Sequence, residues 1–329
     1  MKFAVLGAGA WGTAISVSLA ARHAVTLWAR DAGAARQLAA TRCNQRYLPG
    51  FALPGTVDIT ADLAAALAGS EVLLIATTTA GLRPTLRQLA AAGNTTPLVW
   101  LCKGLDGEKE QLPHQVAAAE LPATTVRAVL SGPSFAAEIA RGLPAALTLA
   151  SHNSEFALRV ARELHNSALR IYTSDDIIGV EVAGAVKNIM AIAAGISDGL
   201  GLGGNARAAL ITRGLAEITR LGLKLGGRFE TFMGLAGAGD LVLTCTGDLS
   251  RNRSVGLKLA LGATLDQILR DLGHVAEGVY TARAVNRLAG KLGVDMPITR
   301  AVCRVLDEGT APRDAVQDLL QREPKPESK

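Results

Sequence analysis

Aromatic side chains are scarce, making up 4% of the 329 residues. With so few large rings, the core must be filled by many small contacts, and abundant alanine and glycine point to close-packed helices. Cysteine is equally sparse. Cys43, Cys102, Cys245 and Cys303 are scattered, with no CxxC pair and no metal-ligand spacing. This speaks against a disulfide framework or a metal site and makes reduced thiols in a cytoplasm the simplest account. Mean hydropathy is positive, yet no run reaches the roughly 18 uninterrupted apolar residues of a membrane span. The richest stretch, 177–196, contains both Glu181 and Lys187 and reads as a buried helix without membrane insertion. Strand-like Lys2–Leu6 stands at the very start, which leaves no room for a signal peptide. Basic residues form no long runs and do not alternate with aromatics, so a nucleic-acid surface is not indicated. The net charge of +5 suits anionic small molecules. There is no internal repeat, and the polar, proline-bearing tail 322–329 is expected to be disordered.

At 329 residues the chain is long enough for two domains. The first half alternates apolar strands with helices: after Lys2–Leu6 and Ala24–Ala29 come Val57–Thr60, Glu71–Ala76, Pro97–Cys102, Val126–Leu130, Ala145–Ala150 and Ala168–Tyr172. Such alternation predicts an α/β fold with a Rossmann-like, doubly wound, largely parallel sheet, whose ligands lie at the carboxyl ends of the strands. From about Ile178 the pattern becomes helical, with helices expected at Ile178–Gly195, Ala206–Leu223, Ser254–Leu261, Leu265–Leu272, Thr281–Leu292 and Pro297–Asp307. The expected division is a dinucleotide-binding domain over 1–178 and an all-α substrate domain over 179–329.

Between the first strand and a helix expected from Thr13 lies Gly7-Ala8-Gly9-Ala10-Trp11-Gly12. In this context the glycine pattern has a mechanism: Gly7 permits the tight turn, Gly9 lets backbone approach a pyrophosphate, and Gly12 allows close packing of helix on strand. The helix N-terminus would offer N–H groups to the phosphates. The second strand ends Trp28-Ala29-Arg30-Asp31. An acidic residue here favours NAD, whereas an arginine accommodates a 2′-phosphate. Because Arg30 comes first, NADP(H) is favoured, with NAD(H) still open.

Four polar features remain. Val182–Ser197 carries a single charge, Lys187, amid small and apolar residues. Either its head snorkels to water, or it is buried, with a depressed pKa suited to proton transfer. Gly234–Gly239 leads into Asp240, which is either a helix N-cap or a functional carboxylate. Ser250-Arg251-Asn252 opens a helix, as a surface cap or as an anion grip. Lys103-Gly104 and Ser131-Gly132-Pro133-Ser134 follow apolar strands, either as ordinary loops or as donors placed at the ligand edge of the sheet.

Taken in order, Gly7–Gly12, Lys103-Gly104, Gly132–Ala136, Gly184–Ala191, Gly237–Asp240, Ser250–Asn252 and Val275–Gly278 resemble the NAD(P)-dependent glycerol-3-phosphate dehydrogenases, nearest the bacterial, phospholipid-supplying branch. The resemblance runs from residue 2 to about 310. It implies reversible reduction of dihydroxyacetone phosphate to sn-glycerol 3-phosphate, with Lys187 as acid/base and Asp240 orienting it or holding a substrate hydroxyl. It further implies substrate contacts from Lys103, Gly132, Ser134, Ser250, Arg251 and Asn252. Cofactor contacts would come from Gly7, Gly9, Ala10, Trp11, Gly12, Arg30, Lys103, Ala136, Arg251, Val275 and Glu277. Ala10 departs from the serine common in relatives, leaving backbone donors to hold the pyrophosphate. The resemblance also implies a homodimer. Related β-hydroxyacid dehydrogenases or ketopantoate reductases would use Arg251 on a carboxylate, and a non-catalytic NADP(H) sensor would keep only the fold.

Overall fold

A computed structural model describes residues 1–272, 276–323 and 326. Strands and helices alternate first: β1 (Lys2–Leu6), α1 (Ala10–Leu19), β2 (Ala24–Trp28), α2 (Ala32–Thr41), β3 (Val57–Thr60) and α3 (Leu63–Leu67). Next come β4 (Val72–Ile75), α4 (Thr79–Ala91), β5 (Leu98–Trp100), α5 (Pro113–Glu120), β6 (Arg127–Ser131) and α6 (Ala136–Ala140). The sheet half closes with β7 (Ala145–Ala150), α7 (Ser154–Leu164) and β8 (Leu169–Ser174). All eight strands join one sheet in the order β3-β2-β1-β4-β5-β6-β7-β8. Pairing is parallel except between β6 and β7, so the expected doubly wound sheet is present with one antiparallel junction. Helices cover both faces, which is why β4 is buried along its whole length. The strand order reverses beside β1, between β1 and β4, and that switch point opens a crevice at the carboxyl ends of these strands.

Among the described residues only helices follow β8: α8 (Ile177–Gly199), α9 (Gly203–Lys224), α10 (Phe229–Met233), α11 (Asp240–Thr246) and α12 (Arg251–Ala260). Then come α13 (Leu265–Leu272), α14 (Glu277–Leu292), α15 (Pro297–Asp307) and α16 (Pro312–Leu320). Among the described residues α8 is the one helix long and apolar enough to cross a membrane, but 94% of its apolar window is buried inside this fold. It is the shaft on which the other helices pack. Glycine sets the packing distance: a Cβ on Gly195 would lie 2.0 Å from the Arg253 carbonyl oxygen, and one on Gly256 2.0 Å from that of Ile192. The backbones of α8 and α12 therefore nearly touch. Leu105 and Leu112, from the sheet half, belong to the helical core, so the two halves share apolar contacts. Of the tail expected to be disordered, 322–329, most lies outside the described residues; Arg322 donates to Asp295 Oδ2 at 3.0 Å.

Two local expectations change. Helix α1 starts at Ala10 rather than Thr13, because Gly9 itself is its N-cap. Gly234–Gly239 is not a simple turn: Leu235–Gly239 forms a π-helical turn that runs straight into α11.

The α8–α12 crossing is tested by substitution. Gly256→Ala should cost about 2–3 kcal/mol through overpacking, seen as a lower urea midpoint at unchanged slope. Gly290→Ala, on the exposed side of α14 with open space around it, should instead stabilise by about 0.5–1 kcal/mol.

Candidate active site

Lys187 sits mid-way along α8 and is 6% exposed, so its ammonium does not snorkel. It donates to Asp240 Oδ1 and, at 3.0 Å, to Thr244 Oγ1. Asp240 is buried in turn, and its Oδ2 accepts from Lys103 Nζ at 2.8 Å. Lys103 also donates to the Gly132 carbonyl oxygen at 2.9 Å. Asp240 is no helix cap: α11 begins after Gly239, and the carboxylate is shared by two lysines. Thr244, one turn further along α11, donates to the Asp240 carbonyl at 2.6 Å and accepts from Lys187.

Two ammonium groups on one carboxylate leave a surplus positive charge in a water-poor place. Burial pushes the Lys187 pKa down to about 8; the Asp240 charge opposes the fall and the Lys103 charge adds to it. A lysine near neutrality can both give and take a proton.

Around this centre, asparagines align the elements. Asn188, next to Lys187, donates to the Lys103 carbonyl at 3.2 Å. Its Oδ1 accepts from Asn252 Nδ2 at 2.9 Å, and Asn252 Oδ1 accepts from the Gly278 N–H at 3.1 Å. Asn252 is thus turned inward, tying α12 to α8 and α14 through one Nδ2 hydrogen and one Oδ1 lone pair. Ser250 is similarly engaged, capping α12 through the Arg253 N–H at 3.2 Å. Arg251, the first residue of α12, is exposed. Half-buried Glu277 accepts from the N–H groups of Thr79, at 2.9 Å, and Lys103. Burial raises its pKa, while backbone bonds and the Arg251 and Lys103 charges pull the other way.

In the glycine loop, Gly7 and Gly12 stand where a side chain would clash. Gly7 has φ +123°, and a Cβ there would meet the Ala76 carbonyl carbon at 2.8 Å. A Cβ on Gly12 would fall 1.9 Å from the Gly7 oxygen, whereas one on Gly9 would point into open space. That open space lies over the first turn of α1, which has no side-chain cap and starts with Ala10, Trp11 and Gly12. A pyrophosphate fits such a cradle. Trp11 Nε1 donates to the Ser134 carbonyl at 3.0 Å, and Ser134 Oγ donates to the Gly132 carbonyl at 2.9 Å. These bonds bring the loop after β6, and Ala136 at the start of α6, beside the glycine loop. The hydroxyls of Thr77 and Ser131, next to the carboxyl ends of β4 and β6, are buried without a protein partner, as expected where a ligand completes the bonding. Arg30 is exposed beyond β2, while Asp31 is engaged in capping α2 through the Ala34 N–H at 2.6 Å. Val275 lies outside the described residues.

Sequence reasoning missed three supporting residues. Thr244 was detectable as the residue four positions after Asp240 on one helix face. Asn188 stands next to Lys187 in the sequence, with nothing further to mark it. Asn44, buried after α2, donates to the Ala8 carbonyl at 2.9 Å and to Thr13 Oγ1 at 2.8 Å, bracing the glycine loop. Nothing local in the sequence marks it.

A dinucleotide cradle facing a buried lysine–aspartate pair, at the junction of a doubly wound sheet and a helical half, defines a two-domain dehydrogenase. Family models carry this further: the NAD-dependent glycerol-3-phosphate dehydrogenase N-terminus matches residues 2–157, and the corresponding C-terminus matches 176–317. The chain belongs to the NAD-dependent glycerol-3-phosphate dehydrogenase family. It is 58% identical over 331 residues to glycerol-3-phosphate dehydrogenase [NAD(P)+] of Nitrosospira multiformis, covering 99% of each chain. It is 59% identical over 332 residues to the Burkholderia orbicola protein of that name, covering 99% of this chain and all of the other. The crystal structure of glycerol-3-phosphate dehydrogenase from Coxiella burnetii superposes with TM-score 0.94 at 44% identity, covering 98% of this chain and 99% of that one. These matches separate the chain from the ketopantoate reductases, represented by a Bacillus subtilis structure with TM-score 0.57 at 13% identity, which share only its fold.

The shared carboxylate makes a direct prediction. Asp240→Asn would leave two ammonium groups facing each other without a counter-charge, costing about 3 kcal/mol at pH 7. Since Lys187 loses its proton above about pH 8, the cost should shrink as pH rises towards 10, which denaturant melts at both pH values would measure.

Proposed function

We propose that the protein catalyses the reversible, NAD(P)H-dependent reduction of dihydroxyacetone phosphate to sn-glycerol 3-phosphate, with Lys187 as general acid and base. The observation that carries the reading is the buried Lys187–Asp240 pair beside Lys103. A bound nicotinamide would supply the hydride for the ketone carbon. Lys187 Nζ gives its proton to the oxygen that becomes the new hydroxyl, and takes it back when the alcohol is oxidised. An ammonium beside that oxygen is worth most as negative charge develops, so it favours the transition state over bound substrate. Asp240 keeps Lys187 in place through the cycle. When Lys187 is neutral, the Asp240 charge is still balanced by Lys103, so proton transfer strands no carboxylate.

Arg251, at the N-terminus of α12, is the group for the substrate phosphate, and its guanidinium also reaches towards the cofactor beside Glu277. Lys103 lies between cofactor and substrate. Gly132 and Ser134 border the substrate, and Ala136 the cofactor. Ser250 and Asn252 hold Arg251 in position more than they touch phosphate, since both are engaged within the protein. Gly7, Gly9, Ala10, Trp11 and Gly12 bind the pyrophosphate mainly through backbone. Arg30 faces the adenosine end, which favours NADP(H) over NAD(H). By family resemblance, the setting is a cytoplasmic homodimer whose product feeds glycerophospholipid synthesis.

The deciding assay follows NADPH and NADH consumption with dihydroxyacetone phosphate beside a panel of 2-keto acids. Turnover confined to the phosphorylated ketone supports the reading, and turnover only with keto acids would contradict it. Lys187→Ala should lower turnover about a thousandfold with NADPH affinity nearly unchanged; equal loss of both would make the lysine structural. Because a protonated Lys187 is needed for reduction, ketone reduction should decline as pH rises through about 8, where the lysine deprotonates, while alcohol oxidation gains over the same range. Arg30→Ser should weaken NADPH about tenfold, the worth of one exposed charge-assisted contact, and leave NADH almost unaffected.

A further inference from the structure

The segment from Lys103 to Gln111 is gripped from both halves of the molecule. It closes on itself: the Asp106 N–H donates to the Gln111 carbonyl at 2.9 Å, and the Glu110 N–H to the Asp106 carbonyl at 2.8 Å. Asp106 Oδ1 accepts from the Glu108 N–H at 3.0 Å. From the sheet half, Arg83 on α4 donates to Asp106 Oδ2 through Nε at 2.8 Å and Nη2 at 2.6 Å. Arg83 also binds Glu120 on α5, so the loop is fixed to two helices of the sheet.

From the helical half, the side-chain ion pairs all meet at one loop residue, Glu110. Glu110 has φ +56°, in the left-handed region that a side-chain-bearing residue adopts at a cost. In that conformation its carboxylate, 8% exposed, meets Arg287 Nε at 2.7 Å and Lys291 Nζ at 2.5 Å. Arg287 also donates to the Gly107 carbonyl at 2.8 Å. Arg287 and Lys291 are four residues apart on one face of α14, the helix whose first residue, Glu277, accepts from the Lys103 N–H. Both ends of the loop are thus tied to α14, with Leu105 between them in the helical core.

We propose that Glu110 is a positioning residue: its carboxylate locks the loop onto α14 and thereby holds Lys103 against Asp240. The inference rests on reading Lys103, Asp240 and Lys187 as the reacting centre. Its physical basis is that a flexible loop would let Lys103 drift to water, where its charge is better solvated. Glu110 acts without touching substrate.

The test uses the full chain with Glu110→Gln, which keeps shape and removes charge. Exposed ion pairs are individually weak, so kcat/KM for dihydroxyacetone phosphate should fall about fivefold, with NADPH affinity within about twofold. The distinguishing readout is the pH profile. If Lys103 leaves Asp240, Lys187 loses its like-charged neighbour, and the alkaline limit of ketone reduction should move to higher pH. Arg287→Gln, made on the exposed side of the same contact, should shift the profile in the same direction and decides the matter if Glu110→Gln does not fold. Unchanged kinetics in both variants, or slower turnover with an unmoved alkaline limit, would overturn the proposal. Lys103→Met serves as reference: should it match wild type, the reading of the centre fails, independently of Glu110.

Discussion

Everything in the site depends on one buried carboxylate being shared by two lysines. Asp240 accepts from Lys187 on α8 and from Lys103 on the loop after β5, so a single residue of α11 joins the sheet half to the helical half. Burying three charges is costly unless each is paired. The fold meets that demand with Thr244 and the Gly132 carbonyl as further partners. The net positive balance is what a site for an anionic substrate needs. Burial brings Lys187 towards neutrality, and the Asp240 charge limits the fall.

The rest of the molecule can be read as support for that contact. Glycines at 195 and 256 let α12 lie against α8, and this close approach sets the N-terminus of α12, through Asn252, against Asn188, the neighbour of Lys187. The Asn188–Asn252–Gly278 chain then fixes α12 and α14 relative to α8 without introducing charge. On the other side, Trp11 Nε1 donates to the Ser134 carbonyl, so the glycine loop and the loop after β6 are joined. Few aromatics are needed because backbones, not large side chains, make the closest contacts.

Much of this was legible in the sequence, for identifiable reasons. The strand Lys2–Leu6 coincides with its apolar run, because a strand buried along almost its whole length leaves an unbroken signature. The glycine loop was legible because its spacing encodes sterics, and Lys187 because a lone charge in an apolar helix stands out. Partnerships were not. Asp240 lies 53 residues from Lys187 and 137 from Lys103, and pattern reading carries no information at such range. Short helices such as α10 and α11 escape periodicity analysis, and the π-helical turn before Asp240 reads as a glycine-rich loop. Asn252 was expected to face a phosphate; its inward turn follows from the α8–α12 contact, which only the folded chain reveals. Family resemblance supplied roles that local chemistry left open, notably the choice between phosphate and carboxylate for Arg251.

The most direct test of the central claim is to titrate Lys187 itself, by NMR of lysine labelled with 13C at Cε, assigned through the Lys187→Ala variant. The account predicts a resonance that titrates near pH 8, well below the ordinary lysine value of 10.5, and that moves further down when Asp240 is replaced by Asn. A Lys187 resonance that titrates above pH 10, indifferent to Asp240, would contradict it.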